Sequence, residues 1–210
     1  MRARIPITLG LVAALFACED HQGTFAPDGN PVAGGAAAGA SAAGAPAASL
    51  ASAASQIARL RRLVAPFHDF DAAFRAGWST PVTPCFTSAD LPSQPGTGAM
   101  GFHWGNLAYI QDGGAVNLLQ PELLLYEPEK NGKLRFVGVE YIVPFTDHPA
   151  TAAAPTLLGH AFSQVPEAGV WGLHIWVGRE NSSGIFAPWN PKVSCANAGT
   201  QQAVAGHQHR

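Results

Sequence analysis

Charge is scarce in this sequence. Asp, Glu, Lys and Arg make up 12% of its 210 residues, about half the share found in an ordinary soluble domain. The formal net charge is −2. No basic run of five or more occurs, and Arg59, Arg61 and Arg62 form only a short cluster. Nucleic acid needs many Lys and Arg to neutralise its phosphates, so it is a poor partner for this chain. Long hydrophobic runs are also missing. Beyond the N-terminus no stretch approaches the ~20 apolar residues that a membrane-spanning helix requires. Common chemical signatures are absent as well: the domain holds no HExxH, CxxC or HxH metal motif, no Gly-x-Ser-x-Gly elbow, no P-loop and no dinucleotide fingerprint. Ser194, beside Cys195, has no evident base next to it.

What is present begins with a leader. Arg2 and Arg4 form a positive start, and residues 5–17 are mostly apolar but too short to cross a bilayer. Together they match a secretory signal peptide over residues 1–17. Leu15-Phe16-Ala17-Cys18 resembles a bacterial lipobox, in which the thiol of the cysteine, here Cys18, receives a diacylglycerol. The expectation is an exported lipoprotein held to a membrane by its N-terminal lipid, on the extracytoplasmic side, in the periplasm or at the cell surface. Removing Arg2 and Arg4 with the leader would take two from the 12 basic residues that stand against 14 acidic ones.

Only three cysteines occur. If Cys18 carries lipid, Cys85 and Cys195 remain to pair, as an oxidising compartment allows. Their bridge would close a loop of about 110 residues, worth roughly 4–5 kcal/mol in the chain-entropy model. Residues 23–54 are dominated by Ala, Gly, Ser and Pro. Such a composition cannot bury enough surface to offset its conformational entropy, so residues 18–54 read as the anchor cysteine and a flexible tether. Residues 55–195 are then one domain of roughly 140 residues, an ordinary size. Residues 196–210 form a tail, in which His207 and His209 have metal-capable spacing but no fixed setting.

Inside the domain, Ile57, Leu60, Leu63, Val64, Phe67, Phe70, Phe74 and Trp78 recur at three- and four-residue steps. This predicts an amphipathic helix, kinked or split at Pro66. Later, residues 101–109 are aromatic and short, and residues 122–127, 134–143 and 170–177 read as strands. The turn signal Asn131-Gly132 joins the first two of these strands as a hairpin. The expected fold is α+β, with the helix packed on a largely antiparallel sheet that can curl toward a barrel.

Strand alternation places Phe136, Gly138, Glu140 and Ile142 on one face, and His174 with Gly172 and Trp176. His103, Glu140 and His174 are each polar and mid-strand, flanked by apolar or aromatic residues. Such groups are buried only with partners, and the economical arrangement is that they meet one another. Two histidines and a carboxylate suit a divalent transition metal with open positions. The same trio could instead be a hydrogen-bonded pair in a ligand pocket, with Trp104, Tyr141 and Trp176 as its walls. It could also be a satisfied structural network in an aromatic core. The corresponding functions are a small-ligand or metal-binding module, an enzyme using metal or His/Glu acid–base chemistry, and a structural envelope protein.

The order of motifs adds a resemblance. Met100-Gly101-Phe102-His103-Trp104, Glu122-Leu123-Leu124-Leu125-Tyr126-Glu127-Pro128, residues 134–141 (LRFVGVEY), Leu173-His174-Ile175-Trp176 and residues 184–195 (GIFAPWNPKVSC) follow in series. This resembles a family of small exported bacterial proteins with MGxHY, LLYEP, LVGVEY, HxWxW and FxxWNPxVSC-type segments. The likeness covers about residues 55–195. It implies a fold-sized unit centred on the same His103, Glu140 and His174, and no particular activity. The chain departs from that pattern at Val177-Gly178, where the family has larger residues.

Overall fold

The computed structural model describes residues 44–200, which fall in one compact unit. The expected signal peptide, Cys18 and the tail histidines His207 and His209 lie outside the described residues.

Helix α1 runs over Gly44–Val64, so it starts well before residue 55, within the stretch read as tether. Pro66 ends it. Proline lacks an N–H and disfavours helical backbone in the residue before it. The chain instead takes one 3-10 turn over Ala65–His68, with the proline in its first turn. A short α2, Phe70–Arg75, follows, capped by the Asp69 carboxylate, which accepts from the Asp71 N–H at 3.0 Å. The helix expected to kink or split at Pro66 is thus three pieces. Trp78, read as its last apolar position, opens a strand.

Eight strands follow among the described residues: β1 Trp78–Thr87, β2 Ala99–Asn106, β3 Leu123–Pro128, β4 Leu134–Pro144, β5 Thr156–Leu157, β6 His160–Ala161, β7 Ser163–Val165 and β8 Val170–Ile175. A one-turn helix α3, Leu107–Ile110, lies after β2. Six strands form one antiparallel sheet in the order β1-β2-β3-β4-β8-β7, and β5 and β6 pair separately. The β3–β4 hairpin forms as its turn signal predicts. Gly132 sits at φ 79°, where a side chain would be strained, and Asn131 accepts from the Lys133 N–H.

The sheet is open, not a barrel. Closure would require β1 to pair with β7. Strand β1 is broken by four register shifts and carries Pro81 and Pro84, and β7 has only three residues. Prolines and irregular register are how sheets blunt an edge.

One face of the sheet supplies Leu124, Tyr126, Phe136, Val139, Tyr141, Val143, Leu173 and Ile175 to an apolar cluster that also holds Ile57, Leu60 and Val64 of α1. The opposite face carries Leu125, Val137 and Trp176, clustered with Ala99 and Val193. A bulge separates these assignments from the simple alternation. Leu125 pairs with Gly138 but Tyr126 pairs with Phe136, which leaves Val137 as the extra residue. Phe136 therefore joins Tyr126 and Tyr141 rather than Glu140, and Val137 moves to the face of Glu140.

The C-terminal segment lies over that second face. Trp176 N–H donates to the Ile185 carbonyl, and its ring N–H donates to the Ala187 carbonyl at 2.6 Å. Asn190 bridges to Ala99, and the Trp189 ring N–H donates to the Gln94 carbonyl. The Cys85–Cys195 disulfide ties the end of this segment to β1, with a Cα–Cα separation of 5.7 Å. Gly178 is dictated by packing, because a Cβ there would stand 2.5 Å from the Phe136 ring.

Candidate functional site

The second face positions the three polar residues. His103 of β2, Leu125 of β3 and Gly138 of β4 form one cross-strand row. Two residues along, Leu123, Glu140 and His174 form the next row, with Glu140 directly opposite His174. The Glu140 Oε2 atom lies 3.2 Å from His103 Nε2 and 3.7 Å from His174 Nε2. The residues are 3%, 6% and 4% exposed, in the order His103, Glu140, His174. Among the described residues, this is the one group of His, Cys, Asp and Glu side chains whose ligand atoms converge, all within 4.8 Å of one another.

The surroundings fix each ring. His174 stacks on Trp176, with centroids 5.7 Å apart and planes 10° from parallel. His103 has Thr83 Oγ1 2.6 Å from its Nδ1 and the Phe86 ring at 6.1 Å. Glu140 needs the missing side chain of Gly172: a Cβ there would come within 2.8 Å of Oε1. One polar atom is left over. His174 Nε2 is buried and has no hydrogen-bond partner among the described residues.

Burial and mutual charge move two of the three groups from their ordinary values. Burial by itself would raise Glu140, but the two adjacent histidines, His174 foremost, together hold it below the ordinary carboxylate value. Burial, only partly offset by Glu140, holds His174 below the ordinary imidazole value. An ionised carboxylate and a neutral imidazole are the forms that bind metals. Around an ion with bonds of about 2.0–2.2 Å, neighbouring ligand atoms stand about 3–3.5 Å apart; the 3.2 Å contact of His103 falls in that range, and the 3.7 Å contact of His174 lies just beyond it.

Two expected wall residues lie elsewhere. Trp104 and Tyr141 point to the α1 side. Trp104 packs on Phe70 with ring centroids 4.7 Å apart, and the Tyr141 hydroxyl donates to the Leu118 carbonyl at 2.6 Å. Each neighbours a site residue in sequence, and in a strand sequence neighbours face opposite ways. Only Trp176 of the three accompanies the trio.

Three roles near the site escaped the sequence reading, although strand alternation puts Gly172 on the face of His174. Thr83 and Gly172 are described above. The third is Glu122, 2% exposed, whose Oε2 accepts from the Ile142 N–H at 3.2 Å. Its burial, together with the nearby charges of Asp112 and Glu140, pushes its pKa up to about 8. Burial of Glu122 and the lack of a side chain at Gly172 leave no pattern in a single sequence. Thr83 could have been found only by knowing that β1 pairs with β2.

No family model, no curated protein and no solved structure matches the chain. No helix among the described residues is long and apolar enough to cross a membrane.

Proposed function

We propose that this protein is an exported, lipid-anchored metal-binding module in which His103, Glu140 and His174 hold one divalent transition-metal ion. The observation that carries the reading is the orphaned Nε2 of His174, which faces a carboxylate oxygen already shared with His103. A buried ring nitrogen left without a partner costs roughly 1–3 kcal/mol. A cation placed among the three ligand atoms removes that cost and offsets the buried carboxylate charge. Two histidines and one carboxylate leave further coordination positions for water or a small ligand.

The depth of the trio favours a held ion over an enzyme working on a dissolved substrate, since all three ligands are at least nine-tenths buried. The Cys85–Cys195 disulfide supports a location outside the reducing cytoplasm. Anchoring at Cys18 rests on the lipobox resemblance alone. The competing reading, a metal-free structural network, is supported by the 3.2 Å approach of His103 Nε2 to Glu140 Oε2, which a proton on that nitrogen makes a hydrogen bond.

Elemental analysis of the purified protein, beside the double variant His103→Ala/His174→Ala, tests the proposal. The expected result is close to one transition-metal ion per chain, absent from a variant that keeps its circular dichroism. A parent that holds no metal, even after reconstitution with Zn(II), Mn(II) and Fe(II), leaves the structural network in its place.

A further inference from the structure

Thr83 lies directly across from His103 in the β1–β2 pairing. Its hydroxyl has two close neighbours: the Pro84 carbonyl oxygen at 3.0 Å and His103 Nδ1 at 2.6 Å. A hydroxyl carries one proton, and a carbonyl oxygen can only accept. Both contacts are hydrogen bonds at once only if the hydroxyl donates to Pro84 and accepts from Nδ1. The ring proton of a neutral His103 then sits on Nδ1. Its Nε2 then presents a lone pair to Glu140 Oε2 at 3.2 Å, and that contact is held either by a proton shared between the two groups or by a metal cation.

The backbone of β1 supports the same assignment. The pairing register shifts on both sides of Thr83, between Pro81 and Thr83 and again between Thr83 and Phe86. Such irregularities re-aim side chains at sheet edges. Two residues beyond Thr83, the disulfide anchors the strand to the C-terminal segment.

We infer that Thr83 is a positioning residue for the site: its hydroxyl holds His103 in the Nδ1–H tautomer, so that Nε2 is offered to a metal ion instead of donating to Glu140. The inference rests on the metal reading for its purpose, and its proton placement can be measured without metal. In metal-binding histidines the second ring nitrogen generally donates to an outer partner, and loss of that partner typically costs 10–100-fold in affinity.

The test uses the full chain, labelled with nitrogen-15, free of metal and at pH 8, with ring-nitrogen NMR reporting the His103 tautomer. Zn(II) titrations then compare the parent with Thr83→Val and Thr83→Ser. The expected outcome is a proton on Nδ1 in the parent, Zn(II) binding weakened 10–100-fold in Thr83→Val, and binding within a few-fold of the parent in Thr83→Ser. A parent ring protonated at Nε2 overturns the inference, and this readout does not depend on whether any variant folds. Thr83→Val binding Zn(II) as tightly as the parent also overturns it while leaving the metal site standing. A parent that carries its proton on Nδ1 yet binds no Zn(II) supports the placement by Thr83 and sinks the metal reading instead.

Discussion

The two faces of the six-stranded sheet are both buried, but they are filled on opposite terms. The α1 side is a continuous aromatic and aliphatic packing in which the polar tips find backbone partners: the Tyr126 hydroxyl reaches the Phe67 carbonyl at 2.8 Å and the Tyr141 hydroxyl reaches that of Leu118. The other side gathers His103, Glu140 and His174 against glycine, and their partners are chiefly one another. The apolar face is complete as it stands. The polar face is left with an unpaired ring nitrogen. Burial alone therefore says little about function here; the difference lies in whether the buried polar atoms are satisfied.

The comparison breaks most sharply by truncating one face at a time. Phe136→Ala should lower stability in urea unfolding by about 3–5 kcal/mol, because a fully buried ring is removed from a close-packed cluster. Its metal content should stay at the parent's level. His174→Ala should do the reverse, with loss of metal and a smaller change in unfolding. If both variants lose metal and stability together, the two faces are not separable. The disulfide gives the next effect. Cys85→Ala/Cys195→Ala frees β1 and the C-terminal segment, both of which border the polar face, and should cost about 2–5 kcal/mol. Hydrogen exchange should rise first in β1 and β2, before β4 and β8. Uniform loss of protection would show that the bridge serves the whole fold equally.

The sequence made the polar face legible because His103, Glu140 and His174 each interrupt an apolar strand, and such interruptions are buried only in company. The hairpin was readable from Asn131-Gly132, and the disulfide from counting cysteines. Other features turn on events that have no local signal. The bulge at Val137 depends on how β4 meets β3, so alternation misassigned Phe136. The helical spacing ran on into Trp78 because apolar residues at three- and four-residue steps also suit a turn followed by a strand. Trp104 and Tyr141 fit an aromatic pocket by composition, yet alternation already turns them away from His103 and Glu140. An open sheet rather than a barrel follows from β1, whose prolines and register shifts become meaningful only once it is known to be a strand.

The two buried carboxylates of the sheet offer a subtler contrast. Glu140 has two histidines, whereas Glu122 has the Ile142 backbone N–H, and burial raises its pKa from 4.5 to about 8. The folded protein therefore holds this proton more tightly than the unfolded chain does. The resulting stability is fully present below about pH 4.5, declines as pH rises, and is gone above about 8, an effect on the order of a few kcal/mol. In metal-free protein the urea midpoint should fall between pH 5 and pH 8.5, and Glu122→Gln should flatten that slope. An unchanged slope in the variant would place the titration elsewhere.

The smallest change sharpens the comparison furthest. Gly172 has no positive φ to require glycine, yet a Cβ there would meet Glu140 Oε1 at 2.8 Å. Its neighbours in β8, Trp171 and Leu173, pack into the apolar cluster on the α1 side. Gly172→Ala should therefore leave that face intact and displace only the carboxylate. Alanine also suits a strand at least as well as glycine, so the unfolded chain gives no separate penalty. A shift of a few tenths of an ångström in Oε1 alters both its distances to the histidine nitrogens, and metal affinity should fall about tenfold, or ~1.4 kcal/mol. Isothermal titration with Zn(II), read beside the urea midpoint, separates the outcomes. Weakened binding with an unmoved midpoint identifies Gly172 as part of the site. A lowered midpoint with unchanged affinity makes it a packing glycine, and the carboxylate then has more room than the static geometry implies.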